Sequence, residues 1–266
     1  EVFSRDDIDA VMHMAADSIV ERSMSDPGGC FDNNVGGGMA LLNGMTAHGI
    51  REIVFSSSAA VYGEPRYVPI NEEHPCDPVN TYGESKHMFE RILLWYGIAY
   101  EIRHVSLRYF NAAGASGSLG EDHSPETHLI PNILRAAVDG ATVTVYGGDY
   151  ATEDGSCIRD YVHVVDIAQA HVLTLERLGD LSGRAFNLGS GKGCSVLEVV
   201  EAARRVTGID IPVNMAPRRS GDPAVLVASC NLARREIGWR PRFDRIDDII
   251  DSAWRWKQSR PQGYGC

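Results

Sequence analysis

Lysine is nearly missing: the 266 residues hold only three, at 86, 192 and 257, against ten tyrosines and 36 acidic side chains. The formal charge of −11 argues against generic binding to phosphate backbones, so no nucleic acid is expected as a partner. No apolar run approaches the roughly eighteen residues that a membrane span needs, so no membrane is expected either. The six cysteines (30, 76, 157, 194, 230, 266) form no CxxC pair and no His/Cys cluster. They read as reduced thiols of a cytoplasmic protein, and no metal site is expected. The start Glu1-Val2-Phe3-Ser4 has neither a Met nor a signal peptide and reads as a cut. Internal repeats and low-complexity tracts are absent, and 44% hydrophobic content suffices for a buried core.

Two glycine clusters fall short of nucleotide motifs. Gly36-Gly37-Gly38 lies inside a helical pattern (Val35, Met39, Leu42, Met45), not after a strand, so close helix packing explains it better than a dinucleotide fingerprint. Gly189-Ser190-Gly191-Lys192-Gly193 lacks both the upstream Gly and the Ser/Thr after Lys of a P-loop. Ser195 to Glu198 fits a capping box opening a helix, which makes that turn structural.

What is present alternates strand and helix. Strands are expected at 9–16, 53–57, 102–109, 143–146 and 185–188, with helices at 31–49, 81–97 and 128–139, one that residues 159–166 lead into and that runs to about 178, and one at 246–257. The fold class is α/β, a doubly wound parallel (Rossmann-like) sheet missing its first strands, with a smaller α/β substrate domain. Residues 1–112 make the partial cofactor half, 158–188 return to it, and 113–266 form the second domain. Ala15, Ser58 and Asn111 fall at carboxyl ends of strands, where ligands of such sheets collect.

The chemistry centres on Tyr82-Gly83-Glu84-Ser85-Lys86. A Tyr and a Lys four apart share one helix face, and so few lysines give only about 0.1 such pairs by chance. A phenol titrates near pH 10, so a base working at neutrality needs roughly 4 kcal/mol of preferential phenolate stabilisation, which a close ammonium and a cationic cofactor could supply. Ser58, ending the previous strand, could hold a substrate oxygen against the phenol. The bland alternative is an amphipathic helix with incidental polar residues. Arg218-Arg219-Ser220-Gly221-Asp222 puts two guanidinium groups and a carboxylate on one loop, suited to phosphate and hydroxyl groups, although such loops are usually just solvated.

Ser56 to Gly63 (SSSAAVYG), Tyr82xxxLys86, Arg108-Tyr-Phe-Asn111 and Arg159-Asp-Tyr-Val-His163 together resemble the extended short-chain dehydrogenase/reductase family. Asp32-Asn-Asn-Val35, Ala216-Pro-Arg-Arg219 with Gly221-Asp222, and Arg260-Pro-Gln-Gly-Tyr264 are similar to its branch that inverts C4 of UDP-hexoses. The resemblance implies tightly held NAD, lined by Met14, Ala15, Ala16, Asp17, Ser18, Asn34, Ser58, Tyr82, Lys86 and Phe110. It implies UDP-glucose and UDP-galactose as substrates, held by Ser58, Tyr82, Asn111, His128, Leu129, Thr144, Val145, Tyr146, Arg159, Arg219, Ser220, Gly221, Asp222 and Leu226. Tyr82 would be the base, Lys86 would lower its pKa, and Ser58 would polarise the 4-oxygen, by way of a 4-keto sugar. A homodimer through the helices at 31–49 and 81–97 is also implied. Ser18 replaces a Lys and Gly38 a Thr seen in members. The family's glycine fingerprint would lie upstream, on an implied ~60 residues before Glu1, and without it residues 1–266 alone are expected to hold NAD poorly. A sibling dehydratase needs acids beside Ser58, where Ser57 and Ala59 stand; a non-catalytic NAD sensor would not need Ser58, Tyr82 and Lys86.

Overall fold

Four parallel strands stack in one sheet because their residues alternate between two buried faces. The computed structural model describes residues 2–4, 7–219 and 222–265. In order these form β1 (Val11–His13), α1 (Val20–Ser25), α2 (Pro27–Phe31), α3 (Gly37–Ala47), β2 (Glu52–Ser58), α4 (Thr81–Tyr100), β3 (Arg103–Tyr109) and β4 (Asn111–Ala113). There follow α5 (Leu129–Asp139), β5 (Val143–Tyr146), β6 (Ile158–Arg159), β7 (Tyr161–His163), α6 (Val164–Leu175), α7 (Leu178–Leu181) and β8 (Arg184–Leu188). The chain closes with β9 (Cys194–Ser195), α8 (Val196–Thr207), β10 (Val213–Ala216), β11 (Val225–Leu226), α9 (Asn231–Glu236) and α10 (Ile246–Ser259).

The main sheet has the order β1-β2-β3-β8, all parallel. Along β2, Ile53 and Phe55 pack with Leu42, Met45, Phe89 and Leu93 of α3 and α4, while Val54 packs on the opposite face with Ile167 and Ala170 of α6. That two-residue period, apolar on both sides, is the signature of a strand covered by helices on both faces. A separate core joins α5, α8, α10 and β5 through Ile133, Val199, Ala203, Val143 and Ile250.

Several details differ from the sequence reading. β1 spans only Val11–His13, because pairing with β2 ends at Phe55. The expected helix over 31–49 is interrupted by a π turn at Asp32–Gly36. Of the three glycines there, only Gly38 is a packing residue: a Cβ would lie 2.3 Å from the Phe89 ring, whereas nothing lies within 4 Å of one on Gly37. In the 158–188 segment, α6 and β8 lie on the first sheet, but β6 pairs with β11 and β9, and β7 with β4. Ala228, Cys230, Ala233, Ile237 and Trp239, far down the chain, also pack in the first core, so the split at 112/113 is not a division of the packing.

The Gly189–Gly193 turn is built around a wholly buried carboxylate. Asp160 accepts from the backbone N–H of Ser190, Gly191 and Ala228 and from the Ser190 hydroxyl. A turn wrapped on an anion of its own chain has a structural reason for its glycines: a Cβ on Gly189 would lie 2.5 Å from Asp160 Oδ2. The capping box at Ser195 and Glu198 is present and opens α8. Cys30, Cys76, Cys157, Cys194 and Cys230 are free, and no helix among the described residues is long and apolar enough to cross a membrane.

Candidate active site

Helix α4 starts where it does because Asn80 caps it, its side chain accepting from Gly83 N at 2.8 Å. Gly83 sits against the single 3-10 turn Ala59–Tyr62: a Cβ there would lie 2.4 Å from the Ala60 carbonyl oxygen. Ser58 caps that turn, accepting from Ala60 N at 3.1 Å. The bare glycine thus lets the first turn of α4 press onto the end of β2, which brings the Tyr82 phenol to the Ser58 hydroxyl. Lys86, one turn on, is 4% exposed and donates to the Ser56 carbonyl at 2.9 Å.

The electrostatics of this trio differ from the expectation. Burial pushes the Tyr82 phenol above its usual value, with the Ser58 hydrogen bond the opposing influence. Lys86 does not lower it; its Nζ lies 5.7 Å from the Tyr82 ring centroid and is itself brought down to about 8 by burial. Tyr109, unforeseen from sequence, joins the group: burial pushes its hydroxyl up to about 12, with Ser56 the opposing influence. His171 Nε2 lies 3.1 Å from the Ser56 hydroxyl on the other side.

Behind the trio runs a buried polar chain. Ser57 Oγ donates to Glu90 at 2.6 Å, Arg108 binds both Glu90 oxygens, Arg108 Nη1 donates to the Tyr62 hydroxyl at 3.0 Å, and Tyr62 donates to Asn187 at 2.7 Å. It links α4, β2, β3 and β8 beneath the strand ends. Sequence reading saw Arg108 only as part of a motif, because pairing with a helix residue eighteen positions earlier has no local signal.

The loop leaving β1 holds Met14, Ala15, Ala16, Asp17 and Ser18, with Met14 and Ala15 exposed at the strand's carboxyl end. Asn34 does not face that opening. Its amide is spent on the loop itself, accepting from Asp17 N at 2.8 Å and donating to Asp17 O and Ser85 Oγ, both at 3.0 Å. It braces the loop against α4. Phe110 is buried in the first core, its N–H donating to Leu188 O.

The second group of expected residues begins one step beyond β3. Asn111, exposed, donates its N–H to Asp160 O, which places Arg159 alongside. Arg159 Nη2 donates to Asp222 Oδ1 at 2.7 Å, and Leu226 is the register partner of Arg159. Two cation–π stacks lie nearby in the chain: Arg219 over Tyr146 and Arg218 over Tyr150, each 4.1 Å from guanidinium carbon to ring centroid. Thr144 and Tyr146 are exposed on β5, while Val145 alternates to the buried side and can offer a ligand only its backbone. Tyr150, its buried hydroxyl without a hydrogen bond, was not foreseen. His128 caps α5 ahead of Leu129, and its ring turns to Glu121 and Glu126 rather than to either group. Ser220 and Gly221 lie outside the described residues.

A profile of the NAD dependent epimerase/dehydratase family matches residues 1–189. The UDP-glucose 4-epimerase of Lacticaseibacillus casei is 53% identical over 270 residues, covering 100% of this chain and 81% of that protein. A crystal structure of a UDP-glucose 4-epimerase superposes with a TM-score of 0.96 at 47% identity, over 100% of this chain and 82% of the other. That of the Bifidobacterium longum UDP-glucose 4-epimerase, in complex with NAD+ and UDP, gives 0.92 at 41% identity, over 99% and 80%. With its sheet, its Ser58–Tyr82 contact and these likenesses agreeing, the chain belongs to the NAD dependent epimerase/dehydratase family.

Proposed function

We propose that the protein inverts C4 of UDP-hexoses, interconverting UDP-glucose and UDP-galactose with NAD as its resident cofactor. The observation that carries this is the pairing of the Tyr82 phenol with the Ser58 hydroxyl at the carboxyl end of the central strands, with the Lys86 ammonium one turn behind. The residues fit NAD: a buried ammonium that spends one of its donors on the Ser56 carbonyl keeps others for a ribose diol, beside the open loop Met14–Ser18. When bound, NAD supplies the hydride acceptor for C4 and a cationic ring near the phenol.

The chain's own groups do the rest. Ser58 would hold the sugar 4-oxygen and Tyr82 would take its proton as the hydride leaves C4, giving a 4-keto sugar; after the sugar turns over, Tyr82 would return the proton to the 4-oxygen as the hydride comes back to the opposite face of C4. Burial raises Tyr82, so the downward shift a base needs would come from the positive charge of a bound cofactor's ring. Arg219 and the Arg159–Asp222 pair hold the uridine diphosphate, with Tyr146, Thr144, Asn111 and Leu226 around it. By resemblance, Leu129, Ser220 and Gly221 add to this cradle, whereas the His128 ring is turned to Glu121 and Glu126. An eliminating sibling is disfavoured, because Glu90, the carboxylate bonded to Ser57, is engaged by Arg108.

We place the cofactor on residues 1–112 with α6 and β8, and the sugar nucleotide on the remainder. Exposed Met39, Leu94, Trp95 and Ile98 on α3 and α4 support a homodimer through those helices, and the free thiols support a cytoplasmic location. Conversion of UDP-galactose to UDP-glucose by the purified full-length protein, followed by chromatography of the sugar nucleotides, tests the reaction. Persistent absence of conversion with bound NAD present would sink it.

A further inference from the structure

Between β4 and α5 the chain carries Glu121, His123, Glu126 and His128, whose ligand atoms all lie within 4.8 Å of one another. No cysteine or paired-histidine signature marks them in the sequence, and only the fold brings them together.

The donors converge. His123 Nδ1 is 3.1 Å from Glu121 Oε1 and 4.0 Å from Glu126 Oε2, and His128 Nδ1 is 3.3 Å from Glu126 Oε1 and 2.5 Å from Glu121 Oε1. Nitrogen and oxygen ligands about 2.0–2.2 Å from a tetrahedral ion sit roughly 3.3–3.5 Å apart; the 3.3 Å pair matches that edge, the 3.1 Å pair is close to it, and the 2.5 and 4.0 Å pairs would shift as an ion entered. The His128 Nδ1 is sealed from solvent yet forms no hydrogen bond of proper angle with either carboxylate. That nitrogen lies within reach of both carboxylates. Glu126 is pre-oriented, Oε1 accepting from the N–H of Thr127 and His128 at 2.8 Å each, the outer support that metal-binding carboxylates carry.

We propose that Glu121, His123, Glu126 and His128 bind one divalent cation of the zinc type, which pins the loop before α5 to the residue at that helix's N-cap. Two imidazoles and two carboxylates suit zinc, cobalt or nickel; magnesium and calcium prefer oxygen donors throughout. The loop is already tied elsewhere, Gly120 N to the Tyr264 hydroxyl and Asp122 to Tyr264 N, so the cation would join three parts of the chain: loop, α5 and C-terminal segment. The site does not depend on the reaction proposed above.

The test is calorimetric titration of Zn²⁺ into the full-length protein, freed of any affinity tag and stripped with chelator, with Co²⁺ as a spectroscopic probe. One site per chain is expected, with visible ligand-field bands of four-coordinate cobalt. Glu121→Gln and His123→Ala should each weaken binding beyond the ~10–100-fold that loss of an outer-shell partner costs. His48→Ala, which removes an exposed imidazole on another helix end, should change nothing. Circular dichroism of each variant reports whether it is folded, and zinc should raise the melting temperature of the parent but not of His123→Ala. Equal affinity in parent and His123→Ala, or no stoichiometric site, overturns the proposal and leaves a carboxylate–imidazole cluster held by shared protons. Turnover enters none of these readouts, so failure here and failure of the epimerase reading are separate outcomes.

Discussion

Glu90 grips Arg108 through two hydrogen bonds, Nε to Oε1 at 2.9 Å and Nη2 to Oε2 at 2.5 Å, with both side chains only 9% exposed. The pair fastens the catalytic helix α4 to β3, and through Ser57 to β2. Removing one partner from a buried ion pair leaves an uncompensated charge, so Glu90→Ala should destabilise the protein by ~3–5 kcal/mol. Replacing both partners by Met should recover most of that loss. Urea denaturation of the two variants checks this, and a double variant as unstable as the single one would refute it.

Tyr82→Phe should keep the fold and the bound NAD while turnover falls at least ~100-fold, the scale of general acid–base catalysis. The phenol hydroxyl is the only atom lost, so packing on the Ser58 turn is retained. Near-normal turnover would remove Tyr82 from the proton transfer.

Lys86 titrates near 8 in the folded protein against an ordinary value of 10.5, because burial disfavours the ammonium. Between those values the unfolded chain binds the extra proton, so stability rises with pH across that window. The penalty is fully present below pH 8 and gone above about 10.5, amounting to ~3 kcal/mol. Lys86→Met should therefore be more stable than the parent near neutrality, by up to that amount, and lose activity. The difference between the two should shrink from pH 8 upward; a constant difference would show that the ammonium is not penalised.

Gly83→Ala should lower turnover and stability together, since the new methyl meets the Ala60 carbonyl and forces the Ser58 turn away from Tyr82. Gly37→Ala serves as the control. Its helical backbone and open surroundings predict a gain of about 1 kcal/mol with unchanged turnover. Thermal melts and initial rates for both variants decide it, and equal effects would refute the close-approach argument.

Arg219→Ala should raise KM for the UDP-sugar far more than it lowers kcat, because its partners are Tyr146 and the non-reacting part of the substrate. Steady-state kinetics over a range of substrate concentrations separate the two parameters. A fall in kcat at constant KM would place Arg219 at the reacting centre instead.

Local pattern carried much of this protein. The two-residue period of β2, the four-residue Tyr82–Lys86 spacing and the Ser195 capping box are interactions between near neighbours in the chain, and each is legible from residue order alone. The rest needed distant segments to meet. Which way Asn34 turns depends on Asp17 and Ser85, the Tyr82 phenol is raised because the fold closes over it, and Arg108 finds Glu90 only when α4 lies across β3. Likewise, residues 225–239 join the first core although they stand far beyond it in sequence, and the Glu121–His128 cluster closes only when the loop folds back on itself. Burial and electrostatics depend on what surrounds a group in space, so charge states, braces and converging ligands were decided by tertiary packing, whereas helix faces and strand alternation were written in the order of the residues.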